Sequence, residues 1–247
     1  MDRGDALHQA AELIKNSRRA TAFTGAGVSV ESGIPPFRGR DGLWSRFDPA
    51  FLDIDYFHHY PERSWRLIKE IFYDFFGKAK PNAAHYALAK MEKAGFLHSI
   101  ITQNIDTLHQ KAGSKEVYEF HGNSRYLICD SCSRTFLAED IDLSSLPPLC
   151  PYCKTVLNPD FVFFGESIPE DANAHALNET EHADVFILIG TSGEIMPASS
   201  IPYRAKQNNK NIIEIDIKPS KYTDTITDIY LEGKATEVVP RLMEAVQ

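Results

Sequence analysis

Apolar and polar positions alternate in two different periods along this chain. Over 5–18, Leu7, Ala10, Ala11 and Ile14 fall on one side of a helix. The apolar run at 20–23 follows and leads into Thr24-Gly25-Ala26-Gly27; further runs at 99–102, 185–189 and 211–217 read as buried strands. Helical stretches at 83–94, 171–182 and 197–207 lie between them. Strands alternating with helices predict an α/β fold whose parallel sheet is covered by helices on both faces.

Two segments interrupt that rhythm. Residues 40–80 are rich in aromatics, with Ile68, Ile71, Phe72, Phe75 and Phe76 at helical spacing. Residues 126–157 hold all four cysteines, and Pro147, Pro148 and Pro151 break regular structure there. Both segments read as insertions that together build a smaller lobe. The larger unit is then discontinuous, made of 1–39, 81–125 and 158–247. Two lobes leave a cleft over the carboxyl ends of the sheet strands, where ligands of open α/β sheets bind.

The cysteines form two Cys-x-x-Cys pairs, Cys129 with Cys132 and Cys150 with Cys153, separated by 17 residues. That spacing predicts one tetrahedral zinc ion held by four thiolates. A full sulfur shell leaves no position for water, so such an ion is structural and the chemistry lies elsewhere. Two disulfides are the competing reading, but a chain of 247 residues does not need them to fold.

Composition narrows the function. The net charge of −8 lacks the basic stripe that nucleic-acid backbone contacts require, and it suits basic partners such as lysine-bearing peptides. The run 185–189 is far too short to span a membrane, and Asp2, Arg3, Asp5 and His8 do not read as a signal peptide. A reducing cytoplasm is the expected location, which also keeps the thiols available for metal.

Several short stretches carry candidate chemistry. Gly25-Ala26-Gly27 follows a strand and precedes a predicted helix, so the backbone can approach a pyrophosphate there. The third glycine of a dinucleotide fingerprint is replaced by Val30, and a plain loop explains a bare Gly-x-Gly equally well. Ser29, Gly33, Pro35, Phe37 and Arg38 after the turn strengthen the ligand reading; Arg38 suits a phosphate, and Phe37 suits a flat or cationic group or the core. Gln103, Asn104, Ile105 and Asp106 sit at a strand's carboxyl end, either at the cleft mouth or as a helix cap. His121, followed by a glycine just before the cysteine segment, is the candidate general base. Phe161-Val162-Phe163-Phe164-Gly165-Glu166 reads as an apolar strand, either in the core or offering an edge to an extended peptide. Gly190-Thr191-Ser192 places small hydroxyl residues at another carboxyl end, and a plain strand-to-loop turn explains it equally well.

Together these pieces closely resemble the sirtuins, NAD-dependent protein lysine deacylases. The matching stretches are GAGVSVESGIPPFRG at 25–39, QNID at 103–106, FHG at 120–122, the two cysteine pairs, FFGE at 163–166, GTS at 190–192 and GKA at 233–235, so nearly the whole chain is covered. The resemblance implies a Rossmann-like domain holding NAD as co-substrate, a lobe with one structural zinc, and an acyl-lysine protein or peptide threaded between them. It implies that the acyl oxygen attacks the nicotinamide ribose as nicotinamide leaves. His121 then helps deprotonate a ribose hydroxyl, and water completes the transfer to O-acyl-ADP-ribose. By the same resemblance Asn104 serves the ribose and an ordered water, Asp106 the nicotinamide amide, and Phe37 the reactive ribose carbon. Arg38 steadies the cofactor loop. The implied cofactor contacts extend to Gly25, Ala26, Gly27, Ser29, Ile34, Pro35, Trp44, Gln103, Ile105, Gly190, Thr191, Ser192, Asp216 and Ala235. Val162, Phe163, Phe164, Gly165 and Glu166 would take the peptide.

Two departures from the family pattern matter. Asp216 stands where sirtuins often carry an asparagine near the adenosine ribose; a carboxylate also accepts from ribose hydroxyls. Ile68 and Ile71 are expected where sirtuins that prefer acidic acyl groups carry a tyrosine and an arginine. An apolar pocket predicts removal of acetyl and longer hydrophobic groups over succinyl. If Ile68 and Ile71 are core residues instead, that expectation loses its basis. The competing functions are ADP-ribosyl transfer to protein, which shares the first step, and a non-enzymatic zinc-ribbon or NAD-sensing protein.

Overall fold

The computed structural model describes residues 3–39 and 42–247; Met1, Asp2, Arg40 and Asp41 lie outside the described residues. Helix α1 (Arg3–Lys15) leads into β1 (Ala20–Thr24). Two short helices, α2 (Ile54–His59) and α3 (Pro61–Ile68), precede a π-helical stretch over Lys69–Phe75. Then come α4 (Ala83–Lys93), β2 (Ser99–Thr102), α5 (Leu108–Ala112) and β3 (Val117–Glu119). Three strands follow, β4 (Gly122–Ile128), β5 (Thr135–Leu137) and β6 (Asn158–Phe161). The chain closes with α6 (Glu170–His182), β7 (Val185–Ile189), α7 (Ser200–Gln207), β8 (Asn211–Asp216), β9 (Ile229–Glu232) and α8 (Ala235–Val246).

Six strands form one parallel sheet in the order β3-β2-β1-β7-β8-β9. Phe23 of β1 stands level with Ile101 on one side and Leu188 on the other. Every residue of β1 and β7 is buried, as an interior parallel strand requires. Ala22, Ile187 and Ile213 meet α1, α4 and α8 on one face, through Ala10, Ile14, Leu88 and Leu242. Phe23, Phe186 and Leu188 meet α6 and α7 on the other, through Ala176, Ile201 and Ala205. The chain runs outward from β1 to β3 and returns at β7 beside β1, so the strand order reverses between those two strands. That switch point opens a crevice at their carboxyl ends.

A second, antiparallel sheet has the order β5-β4-β6. Its inner face joins the 40–80 segment in one apolar cluster that contains Trp65, Phe72, Leu127, Cys129, Cys150 and Phe161. The Trp65 indole N–H donates to the Leu157 carbonyl at 2.9 Å, which pins the helical segment to the chain just before β6.

The structure moves several expected boundaries. Helix α1 stops at Lys15, because Asn16 and Ser17 side chains donate to the Glu12 and Ile14 carbonyls and close the last turn. The glycine turn is followed by a 3₁₀ helix over Ala26–Ser32, which Gly33 ends in left-handed backbone. The apolar strand expected from Phe161 onward is already over at that residue, because the next residues bond to other parts of the chain. Helix α7 begins at Ser200, after a turn closed by Ser199 N–H on the Ile195 carbonyl. Among the described residues no helix is long and apolar enough to cross a membrane.

Candidate active site

The crevice at the switch point is a cleft of about 840 Å³, within the range of small-molecule sites. Its floor is made where three glycines meet. Gly25 N–H donates to the Ile189 carbonyl at 3.0 Å, and Gly27 N–H to the Gly190 carbonyl at 2.9 Å. A Cβ on Gly27 would overlap the Gly190 backbone, and one on Gly25 would lie 2.8 Å from the Gly190 oxygen. The glycines therefore let two strand-to-loop turns cross in contact, and the crossing leaves backbone without side chains at the base of the cleft.

His121 lines this cleft. Its Nδ1 lies 3.0 Å from the Gln103 carbonyl oxygen. A carbonyl only accepts, so Nδ1 carries the proton and, in the neutral ring, Nε2 keeps its lone pair. Burial pushes the imidazole below the ordinary histidine range, against the Gln103 bond, which raises it. The backbone of the same residue is fixed from behind: Val162 N–H donates to the His121 carbonyl at 2.9 Å. Gly122 has φ +68°, and a Cβ there would lie 2.8 Å from Phe161 Cα. The fold thus holds the ring at a fixed point of the cleft.

Asn104 is 5% exposed and donates from its amide nitrogen to the Gly25 carbonyl at 3.1 Å and to Ser29 Oγ at 3.3 Å. Ser29 in turn donates to Asp106 Oδ2 at 2.7 Å, and the other oxygen of Asp106 accepts from Leu108 N–H at 2.9 Å. Asp106 thus holds the first N–H of α5 and anchors Ser29; the helix-end expectation is the one its side chain meets, since it does not line the cleft. Burial raises its carboxyl above the usual range. Behind Ser29 lie His85 and His109, both buried, with ring centroids 4.8 Å apart. Burial lowers both imidazoles, that of His85 to about 4, so the pair is neutral.

The structure brings together most of the residues expected from the sequence. Gly25, Ala26, Gly27, Phe37, Arg38, Trp44, Gln103, Asn104, Ile105, His121, Val162 to Glu166, Gly190, Thr191, Ser192, Asp216 and Ala235 all line the cleft. Ser29, Ile34, Pro35 and Asp106 do not; Ser29 and Ile34 are buried behind its wall. Ile68 and Ile71 correct the expectation placed on them. They are 0% and 2% exposed within the second cluster, and Phe72 is the residue of that stretch that reaches the cleft. Both isoleucines fall on the apolar face of the helix and its π-helical continuation, which the core claims. Phe72 packs on Phe161 at 5.3 Å, while Trp44 lies 5.3 Å from Phe37 and 6.4 Å from Phe164.

Sequence reasoning missed Glu31, Glu194, Met196, Lys218, Lys221 and Lys234, which also line the cleft. Lys234 belongs to the GKA stretch and Glu31 to the 25–39 stretch, so both were within reach; the others sit outside any motif, where only the fold reveals the path of the chain. Arg38 Nε lies 3.7 Å from a Glu194 oxygen across the cleft wall. Asp216 closes β8 with its carboxyl raised by burial, and Tyr230 donates to its carbonyl at 3.1 Å.

The four cysteine sulfurs lie within 4.8 Å of one another. A tetrahedral zinc with four thiolates needs sulfurs about 3.8 Å apart; Cys132 and Cys150 stand at 3.8 Å, and Cys129 and Cys153 at 3.3 Å. Each pair forms the same knuckle. Ser133 and Lys154 adopt left-handed backbone and donate to the Cys129 and Cys150 carbonyls at 2.7 and 3.0 Å. Donor set, spacing and loop shape all fit the ion.

A family model described as the Sir2 family matches residues 25–197. The chain is 45% identical over 242 residues to NAD-dependent protein deacetylase 1 of Pyrobaculum aerophilum, covering 97% of this chain and 94% of that protein. It is 44% identical over 251 residues to an NAD-dependent protein deacylase of Pyrococcus furiosus, covering 98% of each. Among solved structures, a Sir2 homologue mutant in complex with ADP-ribose superposes with a TM-score of 0.91 at 40% identity, covering 96% of this chain and 95% of that one. A Sir2–p53 peptide–NAD+ complex gives 0.87 at 36% identity, covering 94% and 95%.

Proposed function

The chain belongs to the Sir2 family, and from that premise we propose the reaction of this cleft. The protein is an NAD-dependent protein deacylase. Acyl-lysine, NAD and water give free lysine, nicotinamide and O-acyl-ADP-ribose. The observation that carries this reading is the His121 imidazole. Its Nδ1–H is committed to Gln103, so in the neutral ring Nε2 is left as an acceptor in the cleft shared by the glycine turns and the 162–166 segment. His121 takes the proton of a ribose hydroxyl at Nε2, and Asn104 holds the ribose. Phe37, Arg38, Thr191, Ser192 and Asp216 contact the rest of the dinucleotide, and Val162 to Gly165 pair with the substrate backbone. Asp106 and Ser29 act through Asn104.

The large unit, 1–39, 81–125 and 158–247, holds the dinucleotide; the modules 40–80 and 126–157 form the small lobe, and the apolar cluster they share, which extends to Ile34, Leu108, Phe161 and Phe163 of the large unit, supports their pairing. A cytoplasmic location agrees with four free thiols gathered as metal ligands.

Acetyl and longer hydrophobic acyl groups are preferred to succinyl. Leu52, Phe72, Ile105, Phe161 and Phe163 give the pocket an apolar wall. Among the described residues its cations are Arg38 on the cofactor loop and Lys218, Lys221 and Lys234 beyond β8 and β9. A buried succinyl carboxylate would then have no partner beside the aromatic wall. Mass spectrometry of products from acetyl-, butyryl-, myristoyl- and succinyl-lysine peptides with labelled NAD tests both levels. O-acyl-ADP-ribose from the first three is expected. Label on protein would favour ADP-ribosyl transfer, and a succinyl preference would overturn the acyl assignment.

A further inference from the structure

The segment that carries the substrate side of the cleft is held residue by residue from several parts of the chain. Val162 N–H donates to the His121 carbonyl at 2.9 Å, and Phe164 N–H to the Leu52 carbonyl at 2.8 Å. The Phe164 carbonyl accepts from Ile54 N–H at 3.1 Å. Phe163 is different. Its N–H donates to Oε2 of Glu166 at 2.8 Å, while Glu166 N–H donates back to the Phe163 carbonyl at 3.1 Å. Two reciprocal bonds therefore close the Phe163–Glu166 turn, and one of them is made by a side chain.

We propose that Glu166 is a positioning residue for substrate binding, whose carboxylate shapes the turn that presents the 162–165 backbone to an acyl-lysine peptide. The proposal rests on the deacylase reading above and replaces a direct contact of Glu166 with substrate. The bonds just described leave the Val162 carbonyl and the Gly165 N–H without a partner among the described residues. An open acceptor and an open donor on a cleft-lining extended segment are what an added peptide strand uses. Phe163 itself is 2% exposed, packed 4.7 Å from Phe57 and 5.2 Å from Phe161. Without the Glu166 oxygen its N–H would stay buried and unsatisfied, so the turn would shift to find water. Gly165, at φ +96° and with its Cβ direction 3.2 Å from Ile54 Cγ2, leaves the turn little other room. Because Val162 is bonded to His121, a loosened turn is felt first by the peptide and only weakly by the base.

Steady-state kinetics of the full chain with an acetyl-lysine peptide and NAD separates the possibilities. Glu166→Gln keeps an acceptor oxygen at the same reach without charge; Glu166→Asp keeps the charge one methylene short. The Asp variant is expected to raise the peptide KM at least tenfold, with kcat lowered less than threefold and NAD affinity unchanged within twofold. The Gln variant is expected to stay within threefold of the unaltered protein in all three. Thermal melts of both variants accompany the kinetics. The reverse pattern, with Gln impaired and Asp tolerated, would make Glu166 a charge contact to substrate and overturn the proposal, as would equal behaviour of the two. Absence of turnover by the unaltered protein with any acyl-lysine peptide would sink the deacylase reading instead, and this proposal with it.

Discussion

At the scale of single residues, the decisive fact is which ring nitrogen of His121 is committed. The Gln103 carbonyl accepts a hydrogen bond from Nδ1–H and leaves Nε2 free for the proposed role as base, so a backbone acceptor sets the tautomer that the proposed chemistry needs. Burial lowers the imidazole pKa from its ordinary value, so the neutral form persists to pH values below about 6.5. The active form is the deprotonated one, and it is lost only when pH falls through the depressed pKa. The acid limb of kcat/KM is therefore expected below pH 6.5, with no loss between 6.5 and 7.5 from this group. Glu119, two residues away, bonds to Gln110 at 2.8 Å, and burial pushes its carboxyl up to about 7. Glu119→Gln therefore serves as a control that should leave the acid limb in place. His121→Ala should lower turnover by at least a hundredfold, in line with removal of a general base, while NAD affinity measured by calorimetry changes little. An acid limb above pH 7 in the unaltered protein, or near-normal turnover by the alanine variant, would remove His121 from this role.

At the scale of elements, the junction of β3, β4 and β6 decides whether that ring stays put. Gly122 is pressed against the Asp160 carbonyl and Phe161 with left-handed backbone, so β4 and β6 cross there without a side chain between them. Gly122→Ala is expected to cost roughly 2 kcal/mol or more, because both the backbone conformation and the space exclude a methyl group. It should also lower kcat well beyond its effect on NAD binding. Chemical denaturation and turnover of the same variant check this, and an alanine variant as stable and active as the parent would contradict it. The sequence pattern reached this level unevenly. The strands of the parallel sheet were legible because buried strands need continuous apolar runs, and β7 and β2 fall where those runs lie. The Phe161–Phe164 run misled, because the same apolar composition serves a segment that leaves its sheet to bond with His121, Leu52 and Ile54. Ile68 and Ile71 misled for a related reason. Helical spacing shows which residues share a face but not whether that face meets core or cleft, and it is Phe72, buried in the same cluster, that borders the cleft instead. Most cleft residues tied to a motif were found, Glu31 and Lys234 excepted; those in segments set only by long-range folding, such as Glu194 and Lys218, were not.

At the scale of the whole molecule, the cysteine site and the base are two ends of one strand. β4 runs from Gly122, next to His121, to Ile128, next to Cys129, and its partner β6 leads directly into the 162–166 segment. Cys129 and Cys150 are fully buried in the same apolar cluster as Trp65, Phe72 and Phe161. A zinc ion in the four-sulfur shell would therefore brace both the base and the substrate segment while lying in neither. Structural zinc sites contribute on the order of 10 kcal/mol to the folding of small zinc domains, and much of that would be lost with the ion. Treatment with a strong chelator is expected to lower the melting temperature by more than about 5 °C and to abolish turnover, with both restored by added zinc. Cobalt in place of zinc should give the absorption of a tetrahedral tetrathiolate site and leave kcat within about twofold, because a closed shell has no position for substrate or water. A metal that took part in the reaction would change kcat on replacement without changing stability. A chelated protein with an unaltered melting temperature would show that the cysteine cluster holds no ion that matters to the fold.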